Sequence, residues 1–344
     1  MPYSAETPLR IGLVGAGGIV KQRHLPALLA MPEVRITAVA NSTPASTRAF
    51  CDEHVPGARA HDRWQEVAVS PEVDVVWIGT PPLLRCEATL LALANGKHVF
   101  CQARMARDLS EAGRMWEASL SYPELVAAIC PAPHGMAGGE LVKKLLAEGA
   151  IGRPAQVRLR SLSDSWLDGT KPAHWRQRVD LSGLQVLTLG IYVEVLHRWL
   201  GDITEVQADG AVVFPNRQGY EVEVPDFLNV LCTFRNGARG TLEFSGVAAH
   251  APGDEVAIHG TEGTLIYDFV KDEVRLGRHG GEMKAVPIPP ELHRTWKVEQ
   301  DFINAILNPE APRPRPDFIE GMRYMRVVQA VAVAQDTGER QRIC

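Results

Sequence analysis

The sequence predicts a two-domain α/β protein: an N-terminal doubly wound parallel sheet, followed by an α+β domain with an open, mainly antiparallel sheet. Three observations carry this expectation. Between Leu9 and Met31 a short apolar run breaks into glycines and continues as apolar residues at helical spacing. Strand-like and helix-like segments then alternate through Gln102. After Gly152 the segments switch to the period-two alternation of half-exposed strands.

In order, LRIGLVGAGGIV from Leu9 reads as strand and tight turn, and KQRHLPALLAM as the helix that follows. VRITAVA (Val34–Ala40) and DVVWIG (Asp74–Gly79) are β-branched apolar runs ending at the turn formers Asn41, Ser42, Thr80 and Pro81, as strands buried on both faces do. Helices are expected over Pro44–His54 and Leu84–Asn95, the latter closed by Gly96, with a strand at Lys97–Gln102. Pro131, Pro133, His134 and Gly135 then break the pattern, and a helix runs from Gly139 to Glu148. The boundary is placed there, giving domains 1–129 and 130–344. Beyond it, AQVRLRSL, TEVQADGAVVF, FLNVLCTFRNG, ARGTLEFSG, DEVAIHG, GTLIYDF and DEVRLG read as strands, with Asn236-Gly237 as a hairpin turn. Helices at Gly183–Leu200, Lys297–Ile306 and Phe318–Gln335 complete the domain on one face of its sheet.

The 344 residues, 45% hydrophobic and 22% charged, suit a soluble globular chain of two domains. A net charge of −5 offers no footprint for nucleic acid, which leaves a small-molecule partner as the default. Six scattered cysteines without a CxxC pair argue against a metal site or disulfide framework and suit a reducing cytoplasm. The N-terminus lacks a signal peptide's plan, and no apolar run reaches the roughly 20 residues a spanning helix needs.

The most informative motif is Gly15-Ala16-Gly17-Gly18-Ile19-Val20, which opens a helix directly after a strand and so marks the first domain as a Rossmann nucleotide-binding fold. Gly15 permits the tight turn. Gly17 lets the backbone approach a pyrophosphate, whose charge sits against the N–H groups of Gly18 and Ile19 at the helix start. Val20 occupies the last fingerprint position, usually Gly or Ala, so helix and strand are expected to pack slightly further apart. The alternative, a turn and nothing more, is disfavoured by the strands that follow. Where an Asp or Glu normally holds the adenosine ribose, the second strand ends in Asn41. Without that carboxylate a 2′-phosphate is not repelled, and Ser42, Thr43 and Arg48 are placed to receive it. This tilts the expected cofactor to NADP, with NAD still open because Asn41 can equally bond an unphosphorylated ribose.

Five segments together resemble the Gfo/Idh/MocA family of nicotinamide-dependent sugar and cyclitol oxidoreductases: Gly12–Leu28, Ile78–Gln102, HWRQ (His174–Gln177), Ile258–Leu265 and Val298–Ile306. The resemblance implies nicotinamide and substrate in a cleft between the two domains, with Thr80, Pro81 and Gln102 on the cofactor side. It also implies a homodimer or homotetramer formed through the C-terminal sheet. Most members carry Glu-Lys-Pro where this chain has Gln102-Ala103-Arg104, so the lysine is absent; Arg104 offers a positive charge that cannot shuttle a proton. The family's Asp-x-Gly-x-His helix corresponds to Thr188-Leu189-Gly190-Ile191-Tyr192. Tyr192 then stands for the histidine, as in some relatives that use tyrosine to protonate a carbonyl oxygen. Thr188 and Gln185 lie one and two turns back on the same expected helical face. Arg85 occupies a position where members often carry histidine. A cation such as Arg104 near Tyr192 would lower its pKa from about 10.

In the loop before that helix, His174, Trp175, Arg176, Arg178 and Asp180 are candidate contacts to a polyhydroxylated or carboxylated substrate, and His134 is a further candidate at the domain junction. His197 falls on another face of the helix and is expected only to pack. Three functions fit: a redox enzyme relaying its proton through Tyr192, a cofactor-dependent lyase, hydratase or glycosidase without net oxidation, or a non-catalytic ligand-binding descendant.

Overall fold

The computed structural model describes residues 3, 4, 6–131 and 136–343. The chain forms two compact units. Residues up to Pro131 join Lys297–Met322 in the first, and the described residues of Ala132–Trp296 join Arg323–Cys344 in the second. A linear division at 129/130 therefore does not reproduce the two units: residues 297–322 interrupt the second unit in the chain but pack with the first. The reason is apolar. Phe302, fully buried on the helix Val298–Leu307, meets Trp77 and Phe100 edge-on at 5.7 and 5.3 Å, while those two rings stack at 3.7 Å. Burying an aromatic side chain of this size contributes about 2–3 kcal/mol, which a lone C-terminal helix gains only against an existing core.

The first unit is a six-stranded parallel sheet of β1 (Leu9–Val14), β2 (Val34–Ala40), β3 (Arg59–Ala60), β4 (Val75–Ile78), β5 (His98–Cys101) and β6 (Ala127–Ile129), in the order β3-β2-β1-β4-β5-β6. All four residues of β4 are buried, as expected of a strand covered on both faces. The strand order reverses between β1 and β4, and open α/β sheets bind ligands at the carboxyl ends of such neighbours.

In the second unit nine strands form one mixed sheet. They are β7 (Pro154–Leu162), β8 (Ile203–Ala211), β11 (Phe227–Phe234), β12 (Arg239–Ser245), β13 (Glu255–Gly260), β14 (Gly263–Asp268), β15 (Glu273–Arg278), β16 (Lys284–Ala285) and β17 (Gln341–Arg342); β9 (Asn216–Arg217) and β10 (Tyr220–Glu221) make a separate hairpin. The order is β16-β15-β14-β13-β7-β12-β11-β8-β17, with β7 and β12 parallel and the other pairs antiparallel. β11 alternates strictly between buried and more exposed residues. Helices cover the buried face: Trp199 packs on Tyr267 of β14 at 5.6 Å, and Gln335 closes on Gly210 of β8. The opposite face carries an ion-pair ladder, Arg158–Glu243, Arg160–Glu255 and Arg275–Glu255, at 2.8–3.2 Å. A groove of about 340 Å³ on that face, lined by Gln156, Leu231, Thr233, Arg239 and Thr241 among others, holds none of the residues singled out above. Among the described residues no helix is long and apolar enough to cross a membrane.

Candidate functional site

In the first unit the glycine turn divides into a packed half and an open half. Gly15 has φ +83°, and a Cβ there would stand 2.7 Å from Thr80 Cγ2 and 2.9 Å from the Thr80 backbone nitrogen. Gly79 is tighter still: its Cβ would meet the Gly15 carbonyl oxygen at 2.1 Å and Val20 Cγ2 at 2.5 Å. The expected extra spacing at Val20 is thus met by a glycine on the facing strand end, which makes the room that the fingerprint's last small residue usually provides. Gly17 and Gly18 are the reverse case, since a Cβ at either position would meet nothing within 4 Å.

The first helical bond runs from the Lys21 N–H to the Gly17 carbonyl, 3.0 Å. The N–H groups of Gly18, Ile19 and Val20 consequently lack partners inside the helix and sit at the positive end of its dipole. Beside them, the Thr80 hydroxyl at the end of β4 is buried and has no hydrogen-bond partner among the described residues. Open glycine faces, helix-end amides and an orphaned hydroxyl together fit a dinucleotide's diphosphate. Pro81, half-buried, leads from Thr80 into the 3₁₀ turn Pro82–Leu84.

Asn41 is spent on the scaffold. Its Oδ1 accepts the Ala16 N–H at 2.7 Å and its Nδ2 donates to the Ser46 carbonyl at 3.3 Å, tying the glycine turn to the helix Pro44–His54. Thr43 caps that helix in a reciprocal box with Ser46, and Arg48 pairs with Asp62 at 3.6 Å on the surface. Ser42 remains exposed.

At the end of β5, the Gln102 side chain turns to His24 Nε2, and His24 Nδ1 meets Glu299 Oε1 at 2.5 Å; the His24 and Glu299 side chains are wholly buried. Gln102 therefore ends a buried chain of polar groups, a position the sequence pattern did not assign to it. His24 and Glu299 lie in the polar runs KQRH and EQD, where nothing in the sequence pattern sets them apart from exposed neighbours. Arg104, 2% exposed, follows a cis Ala103–Arg104 peptide bond. Its carbonyl accepts from Arg85 Nη1, while Arg85 Nε and Nη2 donate to the Thr80 carbonyl at 2.9 and 2.7 Å. Where the family resemblance suggested histidine, Arg85 thus clamps the ends of β4 and β5 together.

In the second unit the expected helix Gly183–Leu200 is broken. Helix begins at Leu189, with Thr188 as its N-cap residue and Leu187 at φ +44° just before it. Gln185 is accordingly not on the helical face assigned to it: it is wholly buried, its amide against Met325 Sδ at 2.8 Å and its Oε1 facing Gly190. Thr188 Oγ1 pairs with Ser161 Oγ of β7 at 2.8 Å. Tyr192, 2% exposed, donates its phenol hydrogen to Asp254 Oδ2, with Phe269 edge-on at 4.9 Å. Burial first, then the Asp254 charge and hydrogen bond, push the Tyr192 pKa well above its ordinary value, against a smaller lowering by a Ser161 hydrogen bond. The expected lowering is therefore reversed, because the side chain is buried and its bonded partner is a carboxyl group rather than a cation. The sequence pattern did not single out Asp254 or Ser161: they fall at the start of the expected strand DEVAIHG and near the end of AQVRLRSL, where alternation marks a strand but no site.

The loop before the helix keeps its aromatic and charged character. Arg176 stacks on Trp175 with its guanidinium 4.3 Å from the ring, and half-buried His174 caps the 3₁₀ turn Trp175–Gln177 by accepting the Arg176 N–H at 3.2 Å. Arg178 pairs with Asp180 at 2.8 Å. His197 accepts the Ile203 N–H at 3.2 Å, a packing role. His134 lies outside the described residues.

Residues 9–149 match an oxidoreductase family with an NAD-binding Rossmann fold, and residues 140–266 match the Gfo/Idh/MocA C-terminal domain. The chain belongs to the Gfo/Idh/MocA oxidoreductase family. It is 28% identical to levoglucosan dehydrogenase of Pseudarthrobacter phenanthrenivorans over 78% of this chain and 76% of that one. It is 29% identical to dTDP-3,4-didehydro-2,6-dideoxy-alpha-D-glucose 3-reductase of Streptomyces antibioticus over 87% and 88%. A solved levoglucosan dehydrogenase in complex with NADH and levoglucosan shares the fold, with a TM-score of 0.86 at 23% identity over 98% of this chain and 99% of that one. The two matched spans of the Gfo/Idh/MocA chain include the glycine turn and both residues of the Tyr192–Asp254 contact.

Proposed function

We propose that this protein is an NAD(P)-dependent oxidoreductase of a sugar-like, cyclitol or other small hydroxy or carbonyl compound. The observation that carries the reading is the glycine turn, whose Gly17 and Gly18 faces are open while Gly15 and Gly79 are packed backbone to backbone. A turn needed only for folding has no reason to keep that opening. Relatives named for levoglucosan, for a dTDP-linked keto sugar and, in Acidiphilium cryptum, for inositol support the substrate class.

Bound there, the coenzyme supplies a hydride acceptor or donor. The chain's own residues do the rest. Amides at the helix head hold the diphosphate, and Thr80 offers its hydroxyl to the ligand. Arg85 fixes the two strand ends relative to each other, so the turn after β5, with Gln102 and Arg104, is held in place. In the second unit Tyr192 hydrogen-bonds the substrate oxygen, taking its proton on oxidation and returning it on reduction, and Thr188, Trp175 and Arg176 hold substrate hydroxyls. With no carboxylate free at position 41, the phosphorylated coenzyme NADP is favoured. We further assign the protein to the cytoplasm and to a dimer or tetramer joined through the second unit's sheet.

The test is a reaction panel in which levoglucosan, inositol and D-xylose, each with NADP⁺ or NAD⁺, are followed at the absorbance of the reduced nicotinamide. Turnover with at least one pair is expected, and tighter binding of NAD⁺ than of NADP⁺ would overturn the preference between them.

A further inference from the structure

Hydroxyl oxidation releases a hydride and a proton, and the two positions at which the family resemblance places its ionisable pair, Thr188 and Tyr192, offer no group able to keep the proton. Thr188 does not titrate, and Tyr192 is buried with its hydrogen already committed to a carboxylate. That carboxylate is Asp254, at the turn leading into β13, on a different element from Tyr192. It is half-buried, so it reaches solvent on one side and the phenol on the other. Ser161 of β7 completes the cluster through Thr188. The helix has lost both ionisable residues the family resemblance implies, and the fold returns one of them from the sheet side.

We propose that Asp254 is the proton acceptor of the reaction, acting through Tyr192. The inference rests on the oxidoreductase reading above. As the substrate C–H bond breaks and its electron pair leaves with the hydrogen as hydride to the oxidised coenzyme, the substrate O–H proton passes to Tyr192 Oη. The proton of Tyr192 passes in the same relay to Asp254 Oδ2, and the substrate C–O bond becomes C=O. The products are a carbonyl compound, reduced coenzyme and a protonated Asp254, which releases its proton to solvent. Reduction runs the relay backwards, and Tyr192 never has to persist as a phenolate. This agrees with the raised pKa that burial and the Asp254 charge impose on it.

The test uses the full chain with NADP⁺ or NAD⁺ and levoglucosan, inositol or D-xylose, whichever pair the wild type turns over. Asp254→Asn keeps a hydrogen-bond acceptor for the phenol but cannot hold its proton. Its kcat is expected to fall by about 10²–10⁴-fold with KM little changed, the size of a lost acid–base group. Asp254→Glu is expected to recover much of the rate, and Tyr192→Phe with Asp254→Asn to be no slower than Tyr192→Phe alone, because the two act as one unit. Independently of turnover, the Cζ resonance of ¹³C-labelled Tyr192, assigned by its loss in Tyr192→Phe, is expected to move in Asp254→Asn. An active wild type with an Asp254→Asn variant within about threefold of its kcat overturns the assignment alone. An unmoved Tyr192 resonance does the same. A wild type silent with every coenzyme and probe overturns the oxidoreductase reading as well.

Discussion

Glu299 and His24 meet with both side chains fully buried, so each depends on the other for its solvation. Glu299→Ala leaves a cavity and strips His24 of this partner; a loss of about 3–5 kcal/mol in urea unfolding is expected, and a loss under about 1 kcal/mol would show that the pair is not coupled. The two halves of the glycine turn separate fold from function in the same way. Gly15→Ala places a side chain at φ +83° against Thr80 and is expected to destabilise the protein by about 1 kcal/mol or more. Gly17→Ala meets empty space. Its stability is expected to stay within about 0.5 kcal/mol of the wild type while coenzyme affinity drops about tenfold or more, read by thermal melts and by titration. Equal effects of both substitutions on stability would contradict this division.

At the scale of elements, two histidines hold strand and helix ends by accepting backbone N–H groups: His98 Nδ1 from Val126 at 2.9 Å and His197 Nε2 from Ile203 at 3.2 Å. Burial pushes each pKa down from 6.5 to about 4. The unfolded chain therefore binds protons first as pH falls through 6.5, so stability is complete above that value and is lost progressively down to about 4. Each site contributes on the order of 3 kcal/mol to this loss. A urea midpoint that drops between pH 7 and pH 4.5 is expected, with a shallower drop in His98→Asn; parallel curves would refute the assignment.

The elements also show what a sequence pattern can carry. Val34–Ala40 and Pro44–His54 appear with the expected bounds because β-branched runs and a proline-led, Thr43-capped start are local causes. The first helix is expected as α but passes through a π turn, Val20–His24, in which the Leu25 N–H reaches back to the Val20 carbonyl. Pro26 explains it, since its ring and missing N–H disrupt regular α spacing in the preceding turn. The break before Leu189 was illegible because GLQVLTLG keeps apolar spacing through residues that tertiary packing, with Gln185 against Met325, holds out of helix. Glycine spacing made the nucleotide turn readable. Asp254, Ser161, His24 and Glu299 were not readable, because their partners are 27 to 275 residues away in the chain.

At the scale of the whole molecule, the chain builds its first unit from two separate stretches, with residues 297–322 returning to the nucleotide-binding sheet. Truncation before Lys297 removes Phe302 and Glu299 from that core, so a fragment ending there is expected to unfold cooperatively at lower urea than the full chain, as read by circular dichroism. Equal midpoints would show that the returning segment is peripheral. Both units belong to one family, yet the resemblance places its proton-transfer groups on one helix, whereas those proposed here, Tyr192 and Asp254, stand on a helix and just before a strand. The chemistry proposed for them is meaningful only if the first unit holds its coenzyme. Isothermal titration of the full chain with NADP⁺ and NAD⁺ is the most direct measurement: saturable one-to-one binding is expected, weakened in Gly17→Ala, whereas no heat from either coenzyme at millimolar concentration would contradict the oxidoreductase reading.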